Sequence, residues 1–122
     1  MERNNEFIKR WIKWLRETDF DQGNSSLRGV DGFCCLGIAC HKSTKIRQAD
    51  NISGATVYEY KETEDSDELY LPDGFREWVG LTLDEEVELA WMNDQNKSFS
   101  EIADWIEENV YKQEPDFFLT EN

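Results

Sequence analysis

Gly32-Phe33-Cys34-Cys35-Leu36-Gly37-Ile38-Ala39-Cys40 is the stretch on which the fold turns. It carries no charge, in a chain that is 33% charged. Asp31 stands before it and His41-Lys42 closes it. A run this apolar cannot lie on a half-wet surface, so it reads as a buried helix that other helices must cover. Asp31 is the expected N-cap. The helix is expected to continue to somewhere between residues 42 and 47. Glycine inside a helix costs about 1 kcal/mol relative to alanine, so Gly37 marks the close approach of another backbone.

Upstream, residues 3–18 read as a helix. Phe7, Ile8, Trp11, Ile12 and Leu15 form one apolar stripe, and Lys9, Arg10, Lys13 and Arg16 take the other side. Residues 19–31 are rich in turn formers and read as an irregular crossing anchored by Phe20 and Leu27. Downstream, residues 48–56 read as a polar loop. Thr56–Tyr60 and Glu68–Leu71 alternate like strands, giving a β-hairpin with an acidic tip at 61–67. A lone hairpin is marginal in water, so it must pack on the helices or gain a further strand, here or from a second copy.

Three helices follow. One begins at Pro72-Asp-Gly and stops at Gly80. The second spans residues 83–92, with Thr82 and Glu85 spaced as a capping box and carboxylates in the first turn. After a turn at 93–97, Ser98 and Glu101 repeat the box, opening a helix with Phe99, Ile102, Ala103, Ile106 and Val110 on one face. Phe117, Phe118 and Leu119 are expected either to fold back on the core or to meet a partner. The expected fold is α+β: one domain over residues 1–122, with four or five helices around the cysteine helix and a small antiparallel hairpin or sheet.

Residues 1–50 hold nine Lys/Arg against seven Asp/Glu, and residues 51–122 hold four against twenty. The chain thus divides into a near-neutral helical half and a hairpin plus an acidic helical half. The acidic half repels nucleic acid; the other half can hold a small anion or meet an acidic surface. No apolar run reaches the roughly 20 residues of a membrane span. From the polar start, Met1-Glu-Arg-Asn-Asn-Glu, no export signal is expected. Three cysteines without such a signal are expected to be reduced thiols in the cytoplasm.

Several constellations fail on chemistry. A Cys–His enzyme needs an imidazole within hydrogen-bond reach of the thiol. His41, the one histidine, lies six or seven residues along the same helix from Cys34 and Cys35, about 9–10 Å of axial rise away. Buried cysteine used as a small hydrophobe is the better reading, with a cysteine hydrolase as the remote alternative. Zinc ligation by Cys34, Cys35, Cys40 and His41 would need side chains on different sides of one helix to converge. No metal or other cofactor is called for. The helix pair after Thr82 has the outline of a DNA reader. It offers Glu101, Asp104, Glu107 and Glu108 where a groove needs Arg, Lys, Asn or Gln, so direct DNA binding is excluded. The same carboxylates could imitate DNA towards a DNA-binding enzyme, or could be an ordinary solvated face.

Several segments resemble a family of small, mostly uncharacterised proteins of bacteriophages and prophages. The matching pieces are Trp14-Leu15-Arg16, Phe20-Asp-Gln-Gly23, Leu27-Arg28, Gly32 to Cys40, Leu71-Pro72, Glu77-Trp78-Val-Gly-Leu81, and Met92-Asn93-Asp94 leading to Ser98-Phe-Ser-Glu-Ile-Ala-Asp-Trp-Ile-Glu107. The match departs from the family at His41-Lys-Ser, so His41 is not carried over as a shared functional residue. The resemblance implies a phage accessory protein.

Two partner classes are therefore expected for a protein that blunts host defence by binding. One is a small nucleotide-type signal held by Trp14 and Trp78 as stacking surfaces, Arg28 as the charge, and Asn93 and Asp94 as orienting groups. Asn93 and Asp94 serve equally well as turn formers at helix ends. The other is a host defence enzyme, gripped by the acidic half. An exposed hairpin edge and an apolar tail are compatible with a homodimer.

Overall fold

The computed structural model describes residues 2–111. The expected tail contacts of Phe117, Phe118 and Leu119 lie outside the described residues. The fold is α+β: the described residues form five helices and two small antiparallel sheets.

Helix α1 spans Asn5–Glu17 and buries Phe7, Ile8, Trp11, Ile12 and Leu15, the whole expected stripe. A short ribbon follows, β1 (Arg28–Gly29) against β2 (Gly32–Phe33). Helix α2 spans Cys35–Lys42 and is apolar all round, as a helix enclosed by others must be. Its N-cap is not Asp31. Gly32 and Phe33 are spent on the ribbon, and Cys34 caps instead: the Gly37 N–H donates to its Sγ at 3.3 Å. Gly37 meets another backbone, as its position in the run requires. A methyl there would stand 1.7 Å from the Leu27 carbonyl oxygen. That same oxygen accepts the Cys34 N–H at 3.0 Å, so the 19–31 crossing is laced directly to α2. Leu27 is fully buried, and Phe20 packs on the core from the side.

The main hairpin is not the expected one. Strand β3 (Ile46–Ile52) pairs antiparallel with β4 (Ala55–Tyr60), and β5 (Ser66–Asp67) adds a short edge on the far side of β4. The turn is Ser53-Gly54, both at positive φ, the geometry that joins two twisted strands in two residues. The stretch read as a polar loop is therefore largely strand, and Glu68–Leu71 is not strand. β4 supplies Val57, Tyr58 and Tyr60 to the interior, whereas β3 buries only Ile46.

Helix α3 (Asp73–Val79) ends on Gly80 in the left-handed conformation. There the Asn4 N–H donates to the Val79 carbonyl oxygen at 2.9 Å and the Arg3 guanidinium donates to the Gly80 oxygen at 2.6 Å. Helix α4 (Leu83–Asp94) and helix α5 (Phe99–Asn109) both carry complete capping boxes, Thr82/Glu85 and Ser98/Glu101. α4 runs through Asn93 and Asp94, which were expected in the turn. The reversal comes later, at Gln95 and at Asn96 with φ 66°. Trp11 ties α1 to α2, its indole N–H donating to the Cys35 carbonyl at 3.0 Å. The Cys35 thiol contacts the Leu89 carbonyl of α4 at 3.6 Å. No helix of the described residues is long and apolar enough to cross a membrane.

Candidate functional site

The five residues chosen from sequence do not meet in one cavity. Trp14 and Trp78 flank the same ring, Phe7, in edge contacts at 5.6 and 5.1 Å between centroids. Phe75 stacks on Trp78 at 5.7 Å, and the Lys45 ammonium lies 5.8 Å from the Trp78 centroid. Both indoles are thus engaged with the protein's own side chains.

Arg28 sits elsewhere, over Phe33 at 4.8 Å. It belongs to a group that sequence reasoning did not assemble. The His41 ring lies 4.9 Å from Phe33 and 5.6 Å from Phe20, and its Nδ1 is 3.3 Å from the Tyr58 hydroxyl. Lys42 lies over Phe20 at 5.5 Å. Burial pushes the His41 imidazole below its ordinary value, and the cations Arg28 and Lys42 push it the same way. Burial raises the Tyr58 phenol to about 12, against a smaller opposite pull from Arg28. His41 therefore faces this aromatic–cationic group.

Asn93 is fully buried and works as a buckle. Its Oδ1 accepts from Cys35 N–H at 3.1 Å and Gln22 Nε2 at 2.9 Å, and its Nδ2 donates to the Gly23 carbonyl at 2.7 Å. One side chain thus joins the end of α4, the first turn of α2 and the 22–23 crossing. These hydrogen bonds go to the protein itself, and by accepting the Cys35 N–H from the end of α4, and not from the turn expected at 93–97, Asn93 caps the start of α2. Asp94, exposed beside it, accepts the Ser25 N–H at 3.2 Å and borders a cleft of about 90 Å³ with Ser26, Leu69 and Tyr70.

The thiols are interior. Cys34, Cys35 and Cys40 are free and buried; desolvation raises Cys34 to about 12 and holds the other two well above the ordinary thiol range. A thiolate nucleophile is disfavoured by that burial more than a helix N-terminus could compensate. Among the described residues, no three of His, Cys, Asp and Glu gather as a metal set. The basic face of α1 borders a groove of about 620 Å³ with Glu107 and Tyr111. Arg16 there is already bound by Asp104 at 2.7 Å and Glu107 at 2.8 Å, so part of that charge is spent internally.

The outer face of α4 went unnoticed in the sequence. Leu83, Val87 and Trp91 recur every fourth residue and are 59%, 48% and 55% exposed. Leu69 and Tyr70 are exposed as well, at 49% and 40%. Tyr70 joins two clefts, one shared with Leu83 and Val87, the other with Leu69 and Ala90. The first is about 290 Å³, floored by Leu71 and by buried Glu86, whose Oε2 accepts the Leu71 N–H at 2.6 Å. The signal was present as two apolar stripes on one helix, with Leu89 and Met92 on the covered side.

A small α+β domain with interior thiols and a half-covered amphipathic helix is the class that fold and site define. Residues 3–110 match the model of a domain of unknown function, DUF8296, and the chain belongs to that family. No curated protein and no solved structure matches it.

Proposed function

We propose that this protein is a phage-encoded accessory protein that counteracts host defence by binding, without chemistry of its own, and that its partner is a host defence enzyme gripped through the acidic half. The observation that carries this reading is the exposed charge of that half. Asp84, Glu88, Asp94, Glu101, Asp104 and Glu108 all reach solvent from α4 and α5. Only Asp104 of these takes part in an ion pair described here. A field of one sign steers a basic surface towards it and weakens as salt rises. The phage resemblance supplies the setting. The test is affinity capture from host lysate at low and high salt. A specific partner held at low salt and lost at high salt is expected; capture of none at either overturns the reading.

The small nucleotide-type ligand is the second reading, and one observation favours it: Arg28, His41 and Lys42 gather around the Phe20–Phe33 stack, whose centroids are 4.7 Å apart. Cations beside aromatic faces suit an anion with a planar base. Calorimetry with cyclic nucleotides and cyclic ADP-ribose isomers tests it, and absence of heat with all of them removes it.

A further inference from the structure

We propose that the outer face of α4, with Leu69 and Tyr70 beside it, is the surface on which a cationic amphipathic helix of the protein partner lies. The assignment rests on the protein-binding reading above and adds to it the place and chemistry of the contact.

Spacing is the first argument. Leu83, Val87 and Trp91 stand one helical turn apart, so they form a continuous ridge along the length of α4. Scattered exposed apolar residues need no explanation, but a ridge with Tyr70 beside Leu83 and Val87, and with Leu69 beyond it next to Ala90, is a patch of the kind that marks an interaction site. An indole at its end and a phenol at its flank are the residue types that dominate binding energy.

Shape is the second. Between Tyr70 on one side and Leu83 and Val87 on the other, the surface dips into the cleft of about 290 Å³ floored by Leu71. A groove beside a ridge accepts an apolar stripe at i, i+3, i+4 and i+7 on an incoming helix.

Charge is the third, and it chooses the occupant. Asp67 and Asp73 line the cleft, Asp84 and Glu88 stand on α4 next to the ridge, and Asp94 ends it. Arg76 is the one cation lining that cleft, and it is held by Asp73 at 2.8 Å. A second copy of this chain would bring its own carboxylates to the same rim, and so would a nucleic acid its phosphates. A helix with Lys or Arg flanking its apolar stripe meets the rim with opposite charge and the ridge with apolar surface.

The probe is a synthetic Leu/Lys peptide of about five helical turns with that stripe, compared with a scrambled peptide of the same composition. Backbone amide shifts of the full chain report where each binds. The stripe peptide is expected to shift residues 67–73 and 83–94, and the scrambled one to bind at least about tenfold more weakly. Val87→Asp and Trp91→Asp should each weaken binding about tenfold or more although they add negative charge, and Glu108→Gln on α5 should change it less than about threefold. Circular dichroism checks that these exposed substitutions leave the fold intact. Equal binding of both peptides, shifts confined to α5 or α1, no binding at all, or tighter binding by the Asp variants each overturns the surface assignment. A salt-sensitive lysate partner captured equally by wild type and Trp91→Asp would also overturn it while leaving the acidic-binder reading standing. Failure to capture any partner removes that reading itself.

Discussion

Helices α2 and α4 lie against each other and solve opposite problems. α2 buries all of Cys35 to Cys40 and shows solvent only its last residues, His41 and Lys42. α4 buries Glu86, Leu89, Met92 and Asn93, meets α2 through Leu89 and Asn93, and leaves Leu83, Val87 and Trp91 exposed. The first is apolar because it has no outside. The second is apolar on two faces, and the fold of the described residues covers only one. A helix at a surface gains nothing in the monomer from a second apolar face, so the difference separates residues that serve folding from residues free to serve contact.

The largest expected effect comes from Gly37→Ala. The added methyl would collide with the Leu27 carbonyl, a backbone atom in a segment held from both sides, so neither partner can yield cheaply. A loss of about 4 kcal/mol or failure to fold is expected, read by urea unfolding. A loss below about 1 kcal/mol would mean that α2 and the crossing are not locked together, and the contrast between a fixed post and a two-faced helix would weaken.

Next is Asn93→Ala. It removes the hydrogen bonds to Gln22, Cys35 and Gly23 at a fully buried site and leaves the Cys35 N–H and the Gly23 carbonyl without that partner. A destabilisation of about 3 kcal/mol is expected from chemical unfolding. Trp91→Asp, two residues earlier on the same helix, is expected to move stability by no more than about 0.5 kcal/mol while weakening the peptide contact about tenfold or more. The pair tests the division of α4 directly: comparable stability losses at 91 and 93 would refute it.

What the sequence carried and what it did not follow from the same physics. The cysteine run, the α1 stripe and the two capping boxes were legible because each is a local pattern whose meaning does not depend on distant residues. Gly37 was legible because an unfavourable residue in a buried helix needs a steric reason. β3 was not. Ile46-Arg-Gln-Ala-Asp-Asn-Ile52 is mostly polar and buries one side chain, and it is a strand because β4 offers its edge. Cys34 displaced Asp31 as cap because the Arg28–Gly29 and Gly32–Phe33 ribbon used up the intervening residues. Asn93 could not be separated from a ligand-orienting or turn residue, since its partners come from 22–23 and 35, brought together only by the fold. The Arg28–His41 group was hidden for the same reason: its members come from the 19–31 crossing, β1, β2, α2 and β4.

The smallest expected effect lies between the two faces of α4, at Glu86. Its carboxyl is buried under the Tyr70–Leu83–Val87 cleft, accepts the Leu71 N–H, and lies 3.5 Å from the Arg76 guanidinium. Desolvation raises its pKa, and Asp67 adds to the rise. The Leu71 N–H and Arg76 pull the other way without cancelling it. A carboxyl raised on folding binds its proton more tightly in the folded chain than in the unfolded one. The stability linked to that proton is complete below the ordinary carboxylate range and is lost as pH rises through the folded-state value. Glu86→Gln keeps an acceptor for Leu71 and carries no charge. Its stability relative to the native chain should therefore climb between about pH 4 and pH 7, with little difference at the acid end. Urea midpoints of the two chains across that range measure the slope. A native chain that gains on the Gln variant as pH rises would show that Arg76 outweighs burial, and that the floor of the cleft is an ion pair and not a desolvated acid.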